Sequence, residues 1–154
     1  MNRREFSALL PLLFASHELL PAAQGQTGAA QPASPAATLK KLSSGQYEPG
    51  PAANPQAPRA SHHYLAGMLP DNIRLEAHMT MLAPGAPPEK VDHHKHTEIW
   101  FVREGTVSLM TSGTTRILKA GDMGLCIAGD DHSITNASAT EPASYFVVTV
   151  GPPE

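Results

Sequence analysis

Residues 92–105 read Asp-His-His-Lys-His-Thr-Glu-Ile-Trp-Phe-Val-Arg-Glu-Gly, a stretch that joins a cluster of metal-ligand side chains to a strand pattern. Trp100 and Val102 have the same parity as Glu98, so on a strand all three share one face. Imidazoles and a carboxylate bind divalent transition metals, and two histidines with one carboxylate form the open triad of non-haem iron sites. With His132 further along the chain, the pattern predicts a metal site where two strands converge inside a β-domain.

The composition bounds the class of protein. A chain of 154 residues allows one domain with appendages, and its formal net charge of -3 provides no basic field for nucleic acid. A single cysteine, Cys126, excludes a disulfide framework within the chain and a Cys-rich zinc ribbon. Cys126 lies in the apolar run 123–128, which favours a small buried hydrophobe over a reactive thiol. We find no nucleophile elbow, phosphate-binding loop or metalloprotease helix motif.

The N-terminal residues 1–24 have the pattern of an export signal. The first six residues are Met-Asn-Arg-Arg-Glu-Phe, and an apolar stretch at 8–20 and small residues follow. The paired arginines resemble the twin-arginine signal, which indicates a periplasmic or secreted protein, and the apolar stretch is too short for a stable membrane span. His17 and Glu18 interrupt it, so an amphipathic helix that stays attached is the alternative.

Residues 25–60 are rich in Ala, Pro, Gly, Gln and Ser and contain almost no bulky apolar residue. Such a segment buries too little surface to offset its ordering entropy. We therefore predict a flexible, partly polyproline-like linker. Leu39, Leu42 and Tyr47 are the exceptions, and they could pin a short piece against the domain.

Residues 61–151 carry an all-β pattern of short strands and turns. Apolar residues at 75, 77, 79 and 81 alternate with polar residues at 74, 76, 78 and 80, among them Glu76 and His78. We predict that the side chain of His78 is exposed to solvent rather than in contact with a pocket. The same two alternatives apply to Glu76. Further strands are predicted at 98–103, 106–111, 114–118, 123–128, 133–136 and 144–150. A domain of this size buries a modest fraction of its surface, so a homodimer that covers one sheet is compatible with the pattern.

Two motifs resemble those of the cupin superfamily. The first is a glycine, His-x-His, three residues, Glu, six residues and Gly, and it corresponds to Gly85, His94, Glu98 and Gly105. The second corresponds to Gly121, Gly129, His132 and Asn136, with Ile127 where proline is usual. The resemblance covers 61–151 and implies a double-stranded β-helix, or jelly-roll barrel, with a metal inside.

Carried over by position, the resemblance implies His94, Glu98 and His132 as metal ligands. Asp92 occupies the first histidine position, so the fourth ligand is either Asp92 or His96. Strand alternation places 92, 94, 96 and 98 on one face and His93 on the other, which favours a surface role for His93. Four residues of extended strand span about 13 Å, so His94 and Glu98 can share a metal only if a bend lies at 95–97.

The resemblance also implies a class of activity. Cupins include dioxygenases, isomerases and decarboxylases, so we expect one divalent transition metal (Fe, Mn, Ni, Cu or Zn) and a small organic substrate. Dioxygenase-like chemistry is the first expectation. The main rival is a non-catalytic periplasmic protein that binds a metal or a small ligand. There are two structural alternatives. One is a barrel that has lost its metal, and the other is a barrel whose exposed sheet mediates dimerisation.

Overall fold

The structure is a computed structural model that describes residues 39–153, and this part of the chain is built almost entirely of β-strands. The eight strands are β1 (Arg59–Leu69), β2 (Ile73–Leu82), β3 (Thr97–Glu104), β4 (Thr106–Thr111), β5 (Thr114–Lys119), β6 (Met123–Cys126), β7 (His132–Asn136) and β8 (Ala143–Gly151). A single 3₁₀ turn, Pro70–Asn72, joins β1 to β2. The predicted export signal at 1–24 and the first part of the linker lie outside the described residues.

The strands form two antiparallel sheets that face each other. The larger sheet has the order β1-β2-β8-β3-β6 and the smaller has the order β5-β4-β7. Most connections after β3 therefore cross from one sheet to the other, which is the jelly-roll arrangement. The prediction of an all-β jelly-roll barrel is confirmed.

The hydrophobic core lies between the two sheets and follows the predicted strand parity. Trp100, Val102 and Ile134 are all almost completely buried. This is expected, because Trp100 and Val102 share the strand face of Glu98, and Ile134 shares that of His132. Burial of each such large side chain contributes about 1.5–3 kcal/mol. The core consists of Leu82, Ala86, Trp100, Val102, Val107, Leu109, Leu118, Cys126, Ile134, Ala143, Tyr145 and Val147.

Strand β6 ends earlier than the sequence pattern predicts. It stops at Cys126 rather than at residue 128, because the amide of Asp130 donates to the carbonyl of Ile127 at 3.0 Å and closes a turn. Gly129 has a φ of +89° in this turn, a conformation that glycine adopts without strain. The next strand then begins at His132 itself, which fixes the orientation of that side chain.

Residues 39–58 differ from the flexible linker that their composition predicts. The amide of Leu42 donates to the carbonyl of Met68 at 2.8 Å, and the amide of Gly50 donates to the carbonyl of His63 at 2.8 Å. Leu42 also packs where a side chain at Gly67 would otherwise lie. This segment follows the edge of β1, and its order comes from these backbone bonds together with the packing of Leu42, one of the three residues expected to pin it.

The outer face of the larger sheet is apolar and open to solvent. Phe101, Met123 and Leu125 point away from the core on the neighbouring strands β3 and β6, and about half of each side chain is exposed. On β2 the predicted alternation is present, with Thr80 buried inside and Met81 exposed outside. From residue 74 to residue 81 the polar residues of this strand therefore turn inward and the apolar residues outward, while Leu82 at its end packs in the core.

Candidate metal site

His94, Glu98 and His132 converge at one end of the barrel interior. One ligand atom from each of them lies within 4.8 Å of the others. Nε2 of His132 is 3.5 Å from Oε2 of Glu98, and Nε2 of His94 is 3.9 Å from Oε1 of the same carboxylate. The structure therefore brings together the three residues that the resemblance implied as ligands.

These side chains come from both sheets. Glu98 is on β3 in the larger sheet, where it pairs with Thr149 of β8 and Cys126 of β6. His132 is on β7 in the smaller sheet and faces Glu98 across the interior. The site therefore exists only when the two sheets pack together.

The predicted bend between His94 and Glu98 is present. The backbone bends at Lys95 and His96, immediately before β3 begins at Thr97. Gly151, at the end of β8, makes room for it, because a Cβ there would lie 2.7 Å from the Cα of His96. The bend folds His94 back toward Glu98, which an extended strand could not do.

His96 is buried beside the cluster, with 8% of its surface exposed. Its Nε2 lies at hydrogen-bonding distance, 3.1 Å, from Oε1 of Glu98. Its ring stacks on His94 with a centroid separation of 4.5 Å and an interplanar angle of 10°. These contacts orient both Glu98 and His94, as partners behind metal ligands commonly do.

Asp92 and His93 lie at the mouth of the site. Asp92 exchanges two backbone hydrogen bonds with His132, and its Oδ2 is 3.8 Å from Nε2 of His94, although 64% of its side chain is exposed. The backbone amide of His93 donates to Oδ1 of Asp92 at 2.8 Å and is the main cause of a lowered pKa for this carboxyl. His93 is 71% exposed and lies 3.6 Å from Asp131, away from the cluster. The fourth ligand, Asp92 or His96, stays a prediction.

Asn136 has a structural role that its place in the second motif did not reveal. Its side-chain amide donates to the carbonyls of Ala83 and Glu141 at 2.9 and 2.8 Å, and its Oδ1 accepts from the amide of Ser138 at 2.9 Å. Three backbone groups of two loops are thus satisfied by one buried side chain. Asn136 ties these loops to β7 and takes no part in the cluster.

A cavity of about 180 Å³ opens above the cluster. Its walls combine the ligand candidates with apolar and charged side chains: His78, Glu89, Lys90, Asp92, His94, Glu98, Trp100, His132, Ile134, Tyr145 and Val147. This volume is that of about six water molecules and is below the range of typical drug-sized pockets. A larger groove of about 550 Å³ lies elsewhere, between β5 and β6, and is lined by residues such as Arg116, Ile117 and Met123.

Sequence reasoning missed part of this wall. Tyr145 lies inside on β8, where burial raises its pKa to about 12, and its hydroxyl accepts a hydrogen bond from Arg59 at 2.6 Å. Arg59 also donates to the carbonyl of Ile134 at 2.8 Å, so this side chain of β1 links β1 to β7 and β8. The alternation of Tyr145, Val147 and Thr149 along β8 was the available signal for this inward face.

The prediction that His78 is exposed to solvent is wrong. His78 lines the cavity, and desolvation is the main cause of a pKa below the ordinary value for histidine. Glu76 is also largely buried, and its Oε2 accepts a hydrogen bond from Arg74 at 2.6 Å. Both residues are on the polar face of β2, which turns into the barrel.

The donor set fits a divalent transition metal. Two ligands about 2.1 Å from a tetrahedral ion are about 3.4 Å apart, close to the separations between Glu98 and the two imidazoles. Nδ1 of His132 lies 3.5 Å from the carbonyl oxygen of Asp130, and this arrangement leaves Nε2 directed at Glu98. His94, Glu98 and His132 would hold the ion.

Comparison with protein families identifies the barrel. Residues 78–149 match the family described as "Cupin domain". The barrel belongs to the cupin superfamily. No curated protein matches the chain.

Several solved structures share the fold at low sequence identity. An RmlC-like cupin from Shewanella frigidimarina is 20% identical with a TM-score of 0.54, covering 71% of this chain and 87% of its own. KdgF from Halomonas sp. is 19% identical with a TM-score of 0.57, covering 73% and 96%. The TT1209 protein from Thermus thermophilus is 26% identical with a TM-score of 0.53, covering 65% and 89%.

Within residues 39–153, no helix has the length and apolar character to cross a membrane.

Proposed function

We propose that this cupin binds one divalent transition metal through His94, Glu98 and His132 and acts on a small organic molecule in the adjoining cavity. The observation that carries the proposal is the convergence of these three side chains from two sheets on a cavity with an apolar wall. Burying an ionised carboxylate beside two imidazoles is costly unless something compensates its charge. A bound cation would supply that compensation.

The residues around the cluster have separable tasks in this proposal. Trp100, Ile134 and Val147 form an apolar wall that limits water and shapes the space for a substrate. His96 holds the carboxylate of Glu98 in one orientation through their 3.1 Å contact. Lys90 lies on the cavity wall together with the carboxylates of Glu89, Asp92 and Glu98, so an anionic substrate would be attracted by Lys90 and the bound metal together.

When bound, the metal would polarise a substrate oxygen as a Lewis acid and, if redox-active, support oxygen chemistry. The cavity of about 180 Å³ selects a molecule of only a few heavy atoms, or part of a larger one that extends past Asp92. Dioxygenase-like activity is our first choice of reaction. Two histidines and one carboxylate with coordination positions left for ligands support it.

A non-catalytic metal or small-ligand binding protein is the second candidate, and the position of Asp92 favours it. Its Oδ2 is 3.8 Å from Nε2 of His94, so a small rotation would add a fourth protein ligand and close the site. A closed four-ligand site is typical of structural rather than catalytic metals. Export by the twin-arginine route is part of both candidates and stays a proposal.

The test compares turnover with binding. The metal-loaded full chain is incubated with a panel of small hydroxy and keto acids while oxygen consumption and product formation are followed. Turnover that is lost in Glu98→Gln and kept in His93→Ala supports the enzyme. Stoichiometric ligand or metal binding without turnover supports the carrier.

A further inference from the structure

A second cluster of metal-ligand side chains lies on the hairpin of β1 and β2. It consists of His63, Glu76 and His78, each with one ligand atom within 4.8 Å of the others. Oε1 of Glu76 is 3.4 Å from Nδ1 of His63 and 3.8 Å from Nδ1 of His78. These separations are long for hydrogen bonds and close to the spacing of about 3.4 Å between two ligands of one ion.

The Nδ1 atom of His78, which lacks a hydrogen-bond partner among the described residues, indicates a cation-binding site. Within the described part of the chain, Nδ1 of His78 is buried and has no hydrogen-bond partner. A buried polar atom without a partner is unusual and requires a physical reason. A neutral imidazole with an available lone pair is a metal ligand, so a cation between His78 and Glu76 would supply the reason.

Arg74 prepares Glu76 for such a role. It donates to Oε2 at 2.6 Å and leaves Oε1 facing the two imidazoles. Carboxylates that ligate metals are commonly held by a hydrogen bond of this kind. The guanidinium charge also opposes a nearby cation, so binding here should be weaker than at Glu98.

The strand register sets the two clusters side by side on the inner face of the larger sheet. Glu76 of β2 and Glu98 of β3 both pair with Thr149 of β8, so their backbones lie two strand spacings apart, about 10 Å. His78 belongs to the second cluster and also lines the cavity above the first. His63 is half-exposed, which gives a cation a path from solvent.

We propose that His63, Glu76 and His78 form a second, weaker divalent-cation site at the edge of the same cavity. Two imidazoles and one carboxylate suit a borderline ion such as Zn²⁺. The site rests on its own geometry and does not require the proposed function. It would place a second positive charge beside any substrate that enters the cavity.

The experiment is a calorimetric titration of the untagged full chain with Zn²⁺ alone. We expect two equivalents in two affinity classes. His63→Ala and Glu76→Gln should each lose the weaker equivalent and keep the tighter one. His62→Ala is the matched control, because it removes an imidazole from the same strand. The Nδ1 of His62 lies 2.8 Å from the carbonyl oxygen of Gly50 and not in the cluster. This variant should keep both equivalents.

The proposal is overturned if His63→Ala and Glu76→Gln both retain two equivalents, or if the weaker class has a Kd above about 1 mM. Glu98→Gln separates this result from the proposed function. Loss of the tighter equivalent alone in that variant supports both sites. If Glu98→Gln keeps the tighter equivalent while His63→Ala loses the weaker, the proposed function fails and the second site stands.

Discussion

The two faces of the larger sheet carry different side chains, because the inner face combines the apolar core with buried polar groups and the outer face exposes apolar groups to solvent. The inner face buries the polar residues Thr149 and Glu98, while the outer face exposes Phe101, Met123 and Leu125. Buried polar groups are costly unless they are paired, and exposed apolar patches commonly mark contacts with partners. The proposed metal chemistry therefore belongs to the inner face, and the outer face is the candidate surface for association.

Neighbouring residues of β3 give the strongest test of this difference. Trp100→Ala should cost about 3–5 kcal/mol of unfolding free energy, because it empties a large site in the core. Phe101→Ala should cost under about 1 kcal/mol in the isolated subunit, because 47% of that residue is exposed. Urea unfolding at several protein concentrations measures both values.

A large loss in Phe101→Ala that depends on protein concentration would show that a second copy covers the outer face. A homodimer through this sheet would then account for its apolar character. Equal, concentration-independent losses in both variants would contradict the distinction between the two faces.

Gly151→Ala tests whether the bend at His96 depends on close packing against β8. The added Cβ would lie 2.7 Å from the Cα of His96, so the bend must shift. We expect a loss of about 1–3 kcal/mol in stability and about 10-fold or more in metal affinity. Gly45→Ala is the control, since an added Cβ there meets no atom of the described residues within 4 Å. Unchanged metal affinity in Gly151→Ala would show that the bend is held by other contacts.

The reactivity of Cys126 tests whether the inner face of β6 is buried, with the smallest expected effect on stability. Burial raises the pKa of its thiol to about 11, so only about one molecule in a thousand carries the thiolate at pH 8. A thiol-specific reagent should therefore react at least about 100-fold more slowly with the folded chain than with the chain in urea, and its rate should rise as the pH approaches 11. Similar rates in both states at pH 8 would place Cys126 on an accessible surface.

Much of the fold could be predicted because strands leave a period of two in the sequence. The parity of Glu98, Trp100 and Val102 was sufficient to place all three inside, and the spacing of His94 and Glu98 required the observed bend. For β2 the same period defined two faces without saying which is buried. His78 was misplaced because the inner face carries polar groups.

Other features leave only a weak side-chain pattern. Residues 39–58 are ordered largely through backbone hydrogen bonds to β1, which any composition can make, and the packing of Leu42 adds to them. The buried position of His96 follows from the bend, which turns its ring onto His94. Strand alternation alone could not distinguish His96 as a ligand from His96 as a support for Glu98.

The most direct test of the metal site is elemental analysis of the untagged full chain, purified from its native compartment and dialysed. We expect about one tightly bound equivalent of a single transition metal. His132→Ala and Glu98→Gln should each lose most of it, and His93→Ala should retain it. Equal loss in all three variants, or a substoichiometric mixture that reconstitution does not correct, would contradict a metal site at His94, Glu98 and His132.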